Sequence, residues 1–356
     1  MAGGSWDPTA LPERAGLYIN FLTAATQQIK GGARGTVAIP LKKYTGLAMP
    51  GKFFTVDSEK QAQDLFGADN VKSLTRALQA GAKDCLVYTL PKIDATNTEE
   101  IVYAAARDAF EARPFNVFVY DGIVSEAEQL AGLSWTKRNR EEGKHYVIVF
   151  GCTSAADDLT PSIGDARSVK LTDKYALNLI NGVILGGVSI NSAEFAPYIA
   201  GLVAGTAINK STTYAAIPVD DVTYRMRPSE IKASLKKGSF ILMHDGEKVK
   251  VERGITTDLS KIRKVRAEQS IATDITRTGS DSYVGKLDNS DDGQKALIGA
   301  IKAYLEKLAT NNVLVAESIV VELDPDRESK GDQVFLRIAF VEIDSMEEIY
   351  LTINVG

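Results

Sequence analysis

The chain has 356 residues, 44% hydrophobic and 24% charged, with 41 lysines and arginines against 46 aspartates and glutamates. That length exceeds one ordinary core and implies two or three domains, and the near-balance of charge excludes a general attraction to nucleic acid or to an anionic membrane. The two cysteines, Cys85 and Cys152, each lie in an apolar run, so a reduced, cytoplasmic setting is expected rather than a disulfide framework.

The opening residues lack the basic start and apolar run of a signal peptide. The most apolar stretch, 196–208, contains Pro197 and falls well short of the roughly 20 residues that cross a bilayer. Gly201 and Gly205 within it form G-x-x-x-G, a mark of close helix packing in a chain of this kind.

In chain order, residues 1–15 are Gly, Pro and polar rich, and Pro8 and Pro12 keep this arm extended. At 16–21, Leu17, Ile19 and Phe21 alternate with Tyr18 and Asn20, the period of a half-buried strand. Residues 35–95 read as a small α+β unit: strands at 36–41, 53–56 and 85–90, one helix starting at Asp57 or Ser58 and stopping at Gly67, and a second over 71–81.

From Asn97 the rhythm changes. A helix opens with the Asn97-to-Glu100 cap spacing and runs to about 112, a continuous apolar strand follows at 115–120, and Ser125 with Glu128 opens a helix to about 142. Residues 145–150 and 183–190 read as strands, and Ser192 with Glu194 starts a helix to about 204. Fully apolar strands alternating with helices predict a mainly parallel sheet covered on both faces. Asp245-Gly246 between 239–243 and 248–252 predicts a hairpin.

The third region, from about 255, holds a helix carrying Ile262, Val265, Ile271 and Ile275, and a second carrying Leu297, Ile301, Tyr304, Leu305 and Leu308. Strands at 313–323 and 334–343 follow, separated by turn-rich 324–332. The end of the chain is patterned again: Ile349, Leu351, Ile353 and Val355 on one face, Glu348, Tyr350, Thr352 and Asn354 on the other. Such a strand needs a sheet to cover its apolar face and pair its backbone.

Chemistry is sparse. Of the two histidines, His145 begins a strand and His244 precedes a turn, and no G-x-S-x-G is present. The run from Gly205 to Lys210-Ser211 approaches a phosphate loop but has Asn209 where the second glycine belongs. The run from Asp288 to Gly293 begins like a calcium loop, yet Gly299 stands where the bidentate glutamate is needed, and helix capping accounts for the acids. No catalytic set, metal site or cofactor is expected; an α/β enzyme using Lys210 and Ser211 on a phosphorylated small molecule is the alternative.

Three stretches together resemble contractile-tail sheath proteins, the family of phage tail and R-type bacteriocin sheaths. They are 16–21; 283–289, Tyr-Val-Gly-Lys-Leu-Asp-Asn, with the following helix carrying Ala303, Tyr304 and Leu305; and 343–353, Ile-Asp-Ser-Met-Glu-Glu-Ile-Tyr-Leu-Thr-Ile. The resemblance implies an α/β plus α+β chain in five parts: an arm with linker strand (1–22), a small domain (23–95), a central α/β domain of subtilisin-like topology (96–254), an α+β domain (255–347) and a second linker strand (348–356). It implies a non-enzymatic subunit of stacked hexameric rings around a tail tube, in a virion or phage-tail-like particle assembled in the bacterial cytoplasm. Contraction of the sheath drives the tube through a bacterial envelope. The implied partners are the chain itself, the tube protein, and baseplate and tail terminator proteins, with no nucleic acid and no membrane insertion. Terminal strands exchanged between subunits would use Leu17, Tyr18, Ile19, Asn20 and Phe21 at one end and Ile349, Tyr350, Leu351, Thr352, Ile353 and Val355 at the other. Lys295 and Lys302, seven apart on one helix face, are the expected tube contacts.

Overall fold

The computed structural model describes Gly3, Gly4, Leu17, Tyr18, Ile29, residues 35–45 and residues 48–355. These fall into two compact units: residues 31–273 with 342–356, and residues 274–341 with the first thirty. Near the amino terminus, β1 (Gly3–Gly4) pairs in parallel with β2 (Leu17–Tyr18).

The larger unit is built on a six-stranded sheet formed by β3 (Thr36–Leu41), β4 (Phe53–Val56), β5 (Asp84–Thr89), β6 (Val117–Val119), β7 (Val147–Phe150) and β8 (Ala176–Asn178). Their order is β4-β5-β3-β6-β7-β8, parallel except for β4. Period-two alternation explains why these strands read as unbroken apolar runs. Val117 and Val119, with Val147 and Val149, enter one core; Phe118 and Tyr120, with Ile148 and Phe150, enter the other. Helices α1 (Glu59–Phe66) and α2 (Lys72–Gln79) cover the first face, and α3 (Glu99–Glu111) and α4 (Glu126–Glu141) the second. The sheet does not stop at the boundary expected near residue 95: β3 bonds both β5 and β6, so residues 36–89 share one sheet with the strands that follow.

Local signals set the helix ends. Ser125 accepts from the Glu128 amide at 3.2 Å, as its spacing predicts, and Gly67 stops α1 at φ 84°. The cap of α3 is Thr98 rather than Asn97. Helix α5 (Pro161–Lys170), which follows β7, was not anticipated because the face it buries is polar: Asp165, Arg167 and Ser168.

Residues 183–190, expected as one strand, form the hairpin β9 (Val183–Leu185) and β10 (Val188–Ile190). Gly186 and Gly187 turn between them, both at positive φ. The next helix, α6 (Ser192–Gly205), is capped by Asn191 and joins the first core. After α6 come β11 (Ala216–Ile217), β12 (Asp221–Val222), α7 (Pro228–Leu235), and the hairpin of β13 (Leu242–His244) and β14 (Val249–Val251) around Asp245-Gly246. The division between units falls inside α8 (Ile262–Ser282).

In the smaller unit, α9 (Asp291–Thr310) is capped by Ser290 and buries Ile301, Tyr304, Leu305 and Leu308. Tyr304 Oη donates to Asp274 at 2.6 Å. Two strands, β15 (Val320–Leu323) and β16 (Leu336–Ala339), form an antiparallel ribbon with no further strand in their sheet.

Two features make testable demands on this fold. A Cβ at Gly201 would overlap the Ala77 carbonyl and one at Gly205 the Gly81 carbonyl, so these glycines set the approach of α6 to α2. Gly201→Val should therefore destabilise the unassembled chain by about 1–3 kcal/mol or more in urea unfolding. The second is Asp158, which accepts from the Ser192 amide and, at 2.6 Å, from its hydroxyl. Burial raises its carboxyl to about 6 despite those hydrogen bonds and nearby Arg167, against 3.8 when unperturbed. Between about pH 4 and 6 the folded chain holds the extra proton, so this group's contribution to stability falls as pH rises through that window. From pH 5 to 7 the unmodified chain should lose urea stability relative to Asp158→Asn, which has no proton to release there.

Candidate assembly surface

Catalytic chemistry has no foothold at the positions singled out above. His145 Nδ1 lies 2.9 Å from the Tyr175 hydroxyl, and burial, with Arg140 adding to it, lowers its pKa. His244 Nδ1 accepts from the Gly246 amide in the hairpin turn at 3.0 Å. Both cysteines are free and buried, and burial pushes the Cys85 thiol up to about 12. The calcium-like run from Asp288 is spent on capping α9, where Ser290 accepts from the Gly293 amide at 3.2 Å. Among the described residues no cluster of His, Cys, Asp and Glu could hold a metal ion, and no helix is long and apolar enough to cross a membrane.

The phosphate-loop alternative is overturned at Ser211. A phosphate loop joins a strand to the amino end of a helix. Here the run leaves the carboxyl end of α6, and the Ser211 hydroxyl donates at 2.9 Å to the chain's own Glu347 carboxylate.

That contact belongs to a seat for the end of the chain, built within the larger unit. Glu347 Oε1 accepts from Ser211 and from Thr213, each at 2.9 Å, while Oε2 lies 3.3 Å from Lys261 and 3.6 Å from Arg253. Three residues earlier, Asp344 pairs with Lys261 at 2.9 Å and with Lys264 at 3.4 Å, and Ser345 accepts from Arg263 at 2.8 Å. Burial acts to raise the Asp344 carboxyl, but the Lys261 hydrogen bond and the amide of Ser345 outweigh it and hold the pKa below the usual value.

Beyond the seat the chain is extended and carries its apolar face in the open. Ile349, Leu351, Ile353 and Val355 are 71% to 91% exposed, with Tyr350 and Thr352 between them also exposed. No residue of 349–355 is in a strand. A second incomplete surface is the β15–β16 ribbon: among the described residues its two outer edges have no strand partner, and Val320 and Leu323 stand exposed on β15.

At the other end, Leu17 and Tyr18 pair with Gly3 and Gly4, while Ile19, Asn20 and Phe21 lie outside the described residues. Lys295 and Lys302 are both exposed on α9, away from its buried stripe. The arm's alternation was legible in the sequence. The Glu347 seat was not, because its partners come from residues 211, 213, 253 and 261 and follow no period.

Two family models account for most of the chain: the phage tail sheath protein central domain matches residues 95–257, and the phage tail sheath C-terminal domain matches residues 256–356. The chain belongs to the phage tail sheath family. It is 25% identical over 326 residues to the tail sheath protein of Clostridium phage phiCD119, covering 88% of this chain and 85% of that protein. Its fold is similar to the sheath tail protein of Desulfitobacterium hafniense, at TM-score 0.72 and 20% identity over 94% of this chain and 99% of that one. It is also similar to the helical sheath of the anti-feeding prophage in its contracted state, at TM-score 0.73 and 16% identity over 97% of this chain and 100% of that one. As a sheath protein it is structural rather than enzymatic, a component of a phage or phage-like particle.

An exposed side chain contributes little to the stability of its own chain. Ile353→Asp should leave the urea unfolding free energy of the unassembled protein within about 0.5 kcal/mol of the unmodified value, as equilibrium unfolding will show.

Proposed function

We propose that the chain polymerises into a contractile sheath by exchanging its terminal strands between subunits. The arm of Ile349, Tyr350, Leu351, Thr352, Ile353 and Val355 would add to a neighbour's β15–β16 ribbon, and the arm of Leu17, Tyr18, Ile19, Asn20 and Phe21 would extend the same sheet. The observation that carries this reading is the fourfold apolar face of 349–355, which nothing in its own chain covers. The ribbon supports it from the other side, since a two-stranded sheet is marginal in water until more strands join it.

The energetics favour a polymer over a pair. Covering four aliphatic side chains stabilises by roughly 6–12 kcal/mol at about 1.5–3 each. Ordering eight backbone residues costs about 8–16 kcal/mol at about 1–2 each. A lone strand is near break-even, whereas two links per subunit, repeated through a lattice, gain from effective concentration.

In this reading the subunits form stacked hexameric rings around a tail tube, and contraction drives the tube through a bacterial envelope. Lys295 and Lys302 face the tube, and baseplate and tail terminator proteins close the two ends of the sheath. The five-part division given above describes the assembled subunit, with residues 96–254 as a central domain of subtilisin-like topology.

Deleting residues 348–356 should abolish tubes and rings in electron micrographs and by sedimentation, while the chain keeps its circular dichroism and unfolding midpoint. Unaltered polymerisation of the truncated protein would show that the arm is not the link.

A further inference from the structure

Residues 342–348 have no regular secondary structure, and Met346 and Glu348 project into solvent. Between them Glu347 is seated with its side chain 6% exposed, so one residue in an otherwise open segment is held from several sides. The groups that hold it come from three separate stretches: Ser211 and Thr213 after α6, Arg253 after β14, and Lys261 immediately before α8. Thr213 is itself fixed, its hydroxyl accepting from the Gly254 amide at 2.9 Å. Asp344 pins the approach on the same Lys261. Two residues beyond Glu347, the apolar face begins at Ile349.

We propose that Glu347 is the positioning residue of the carboxy-terminal arm: its seat fixes where the arm leaves the α/β unit and how short the tether to Ile349 is. The proposal rests on the strand-exchange reading for its consequence, but not for the seat itself. With the seat closed, two residues separate the fixed point from Ile349; with the seat open, the nearest fixed point is Val341, held by its backbone bond to Val315, eight residues away. Effective concentration falls roughly as the −3/2 power of tether length, so opening the seat lowers it by about eightfold. The carboxylate suits this task, because it accepts two hydroxyl hydrogen bonds and two cations in one small volume, and salt screens only its charged half.

The test uses the full chain with a nitroxide label on a cysteine placed at 349, and in a second sample at 353 as a mobile reference. The native cysteines are buried and leave the label to the new site. In the unassembled chain the label at 349 should be restrained and the one at 353 free. Glu347→Ala should bring 349 to the mobility of 353, and Glu347→Gln, which keeps an acceptor for Ser211 and Thr213, should fall between. Unlabelled Glu347→Ala should also raise the critical concentration for polymer formation several-fold. Ile353→Asp should block the polymer while the label at 349 stays restrained, which separates loss of the strand link from loss of the seat. A label at 349 equally mobile with and without Glu347 would overturn the proposal. So would a freed arm that polymerises at the unmodified critical concentration in a protein whose polymer still requires 348–356. If Glu347→Ala does not fold, the same outcomes are read from Glu347→Gln.

Discussion

An apolar strand face must be covered, and the face formed by Ile349, Leu351, Ile353 and Val355 is not covered by its own chain. The rest of the architecture is intelligible as a consequence. A subunit whose links are supplied by extended arms needs a body that keeps its shape without them. The larger unit provides one through a sheet buried on both faces, where Phe66, Phe110, Phe118 and Phe150 are sealed from solvent. The apolar surface that stabilises the body and the apolar surface that joins subunits are thus segregated along the chain. Folding can finish before assembly begins.

Segregation also explains the absence of chemistry at the sheet's carboxyl ends, where open α/β sheets commonly bind ligands. The amide of Lys42, at the end of β3, donates to Asp121 at 2.9 Å, and its ammonium donates to the Ile123 carbonyl. Ser73 donates to the other Asp121 oxygen. These groups close the crevice by bonding to one another. The polar side chains there hold loops together, as Asp158 holds the start of α6 through Ser192.

The sequence was most legible where one residue decides a local outcome. Ser125 three before Glu128 marks the start of α4, Gly67 the end of α1, and Asp245-Gly246 a hairpin, because each acts through hydrogen bonds or φ values within a few residues. It was least legible where the partner is distant or the buried face is polar. Helix α5 has no apolar period to find, since Asp165 satisfies Ser234 and Ser239 and Arg167 satisfies Asn178 inside the fold. Strand order placed β3 between β5 and β6, so a unit that looked separate at 35–95 shares the central sheet. In the run 183–190 the apolar residues signalled a strand and the two glycines its reversal, and the glycines prevailed. At the arm, alternation showed that a sheet was needed but not which one, because pairing between chains leaves no mark on spacing within one.

The chemistry of the two attachments orders the events that load on the arm would produce. Opening the Glu347 seat returns its carboxylate, Lys261 and Arg253 to water, so only the net value of each ion pair or hydrogen bond is lost, about 1 kcal/mol apiece. Peeling the strand exposes four aliphatic side chains, roughly 6–12 kcal/mol in all. Under tension the seat therefore yields before the strand. Because ion pairs re-form without a packed geometry to recover, the seat can close again after the body has turned. A subunit joined through such an arm can rotate, lengthen its tether from two residues to eight, and remain linked throughout.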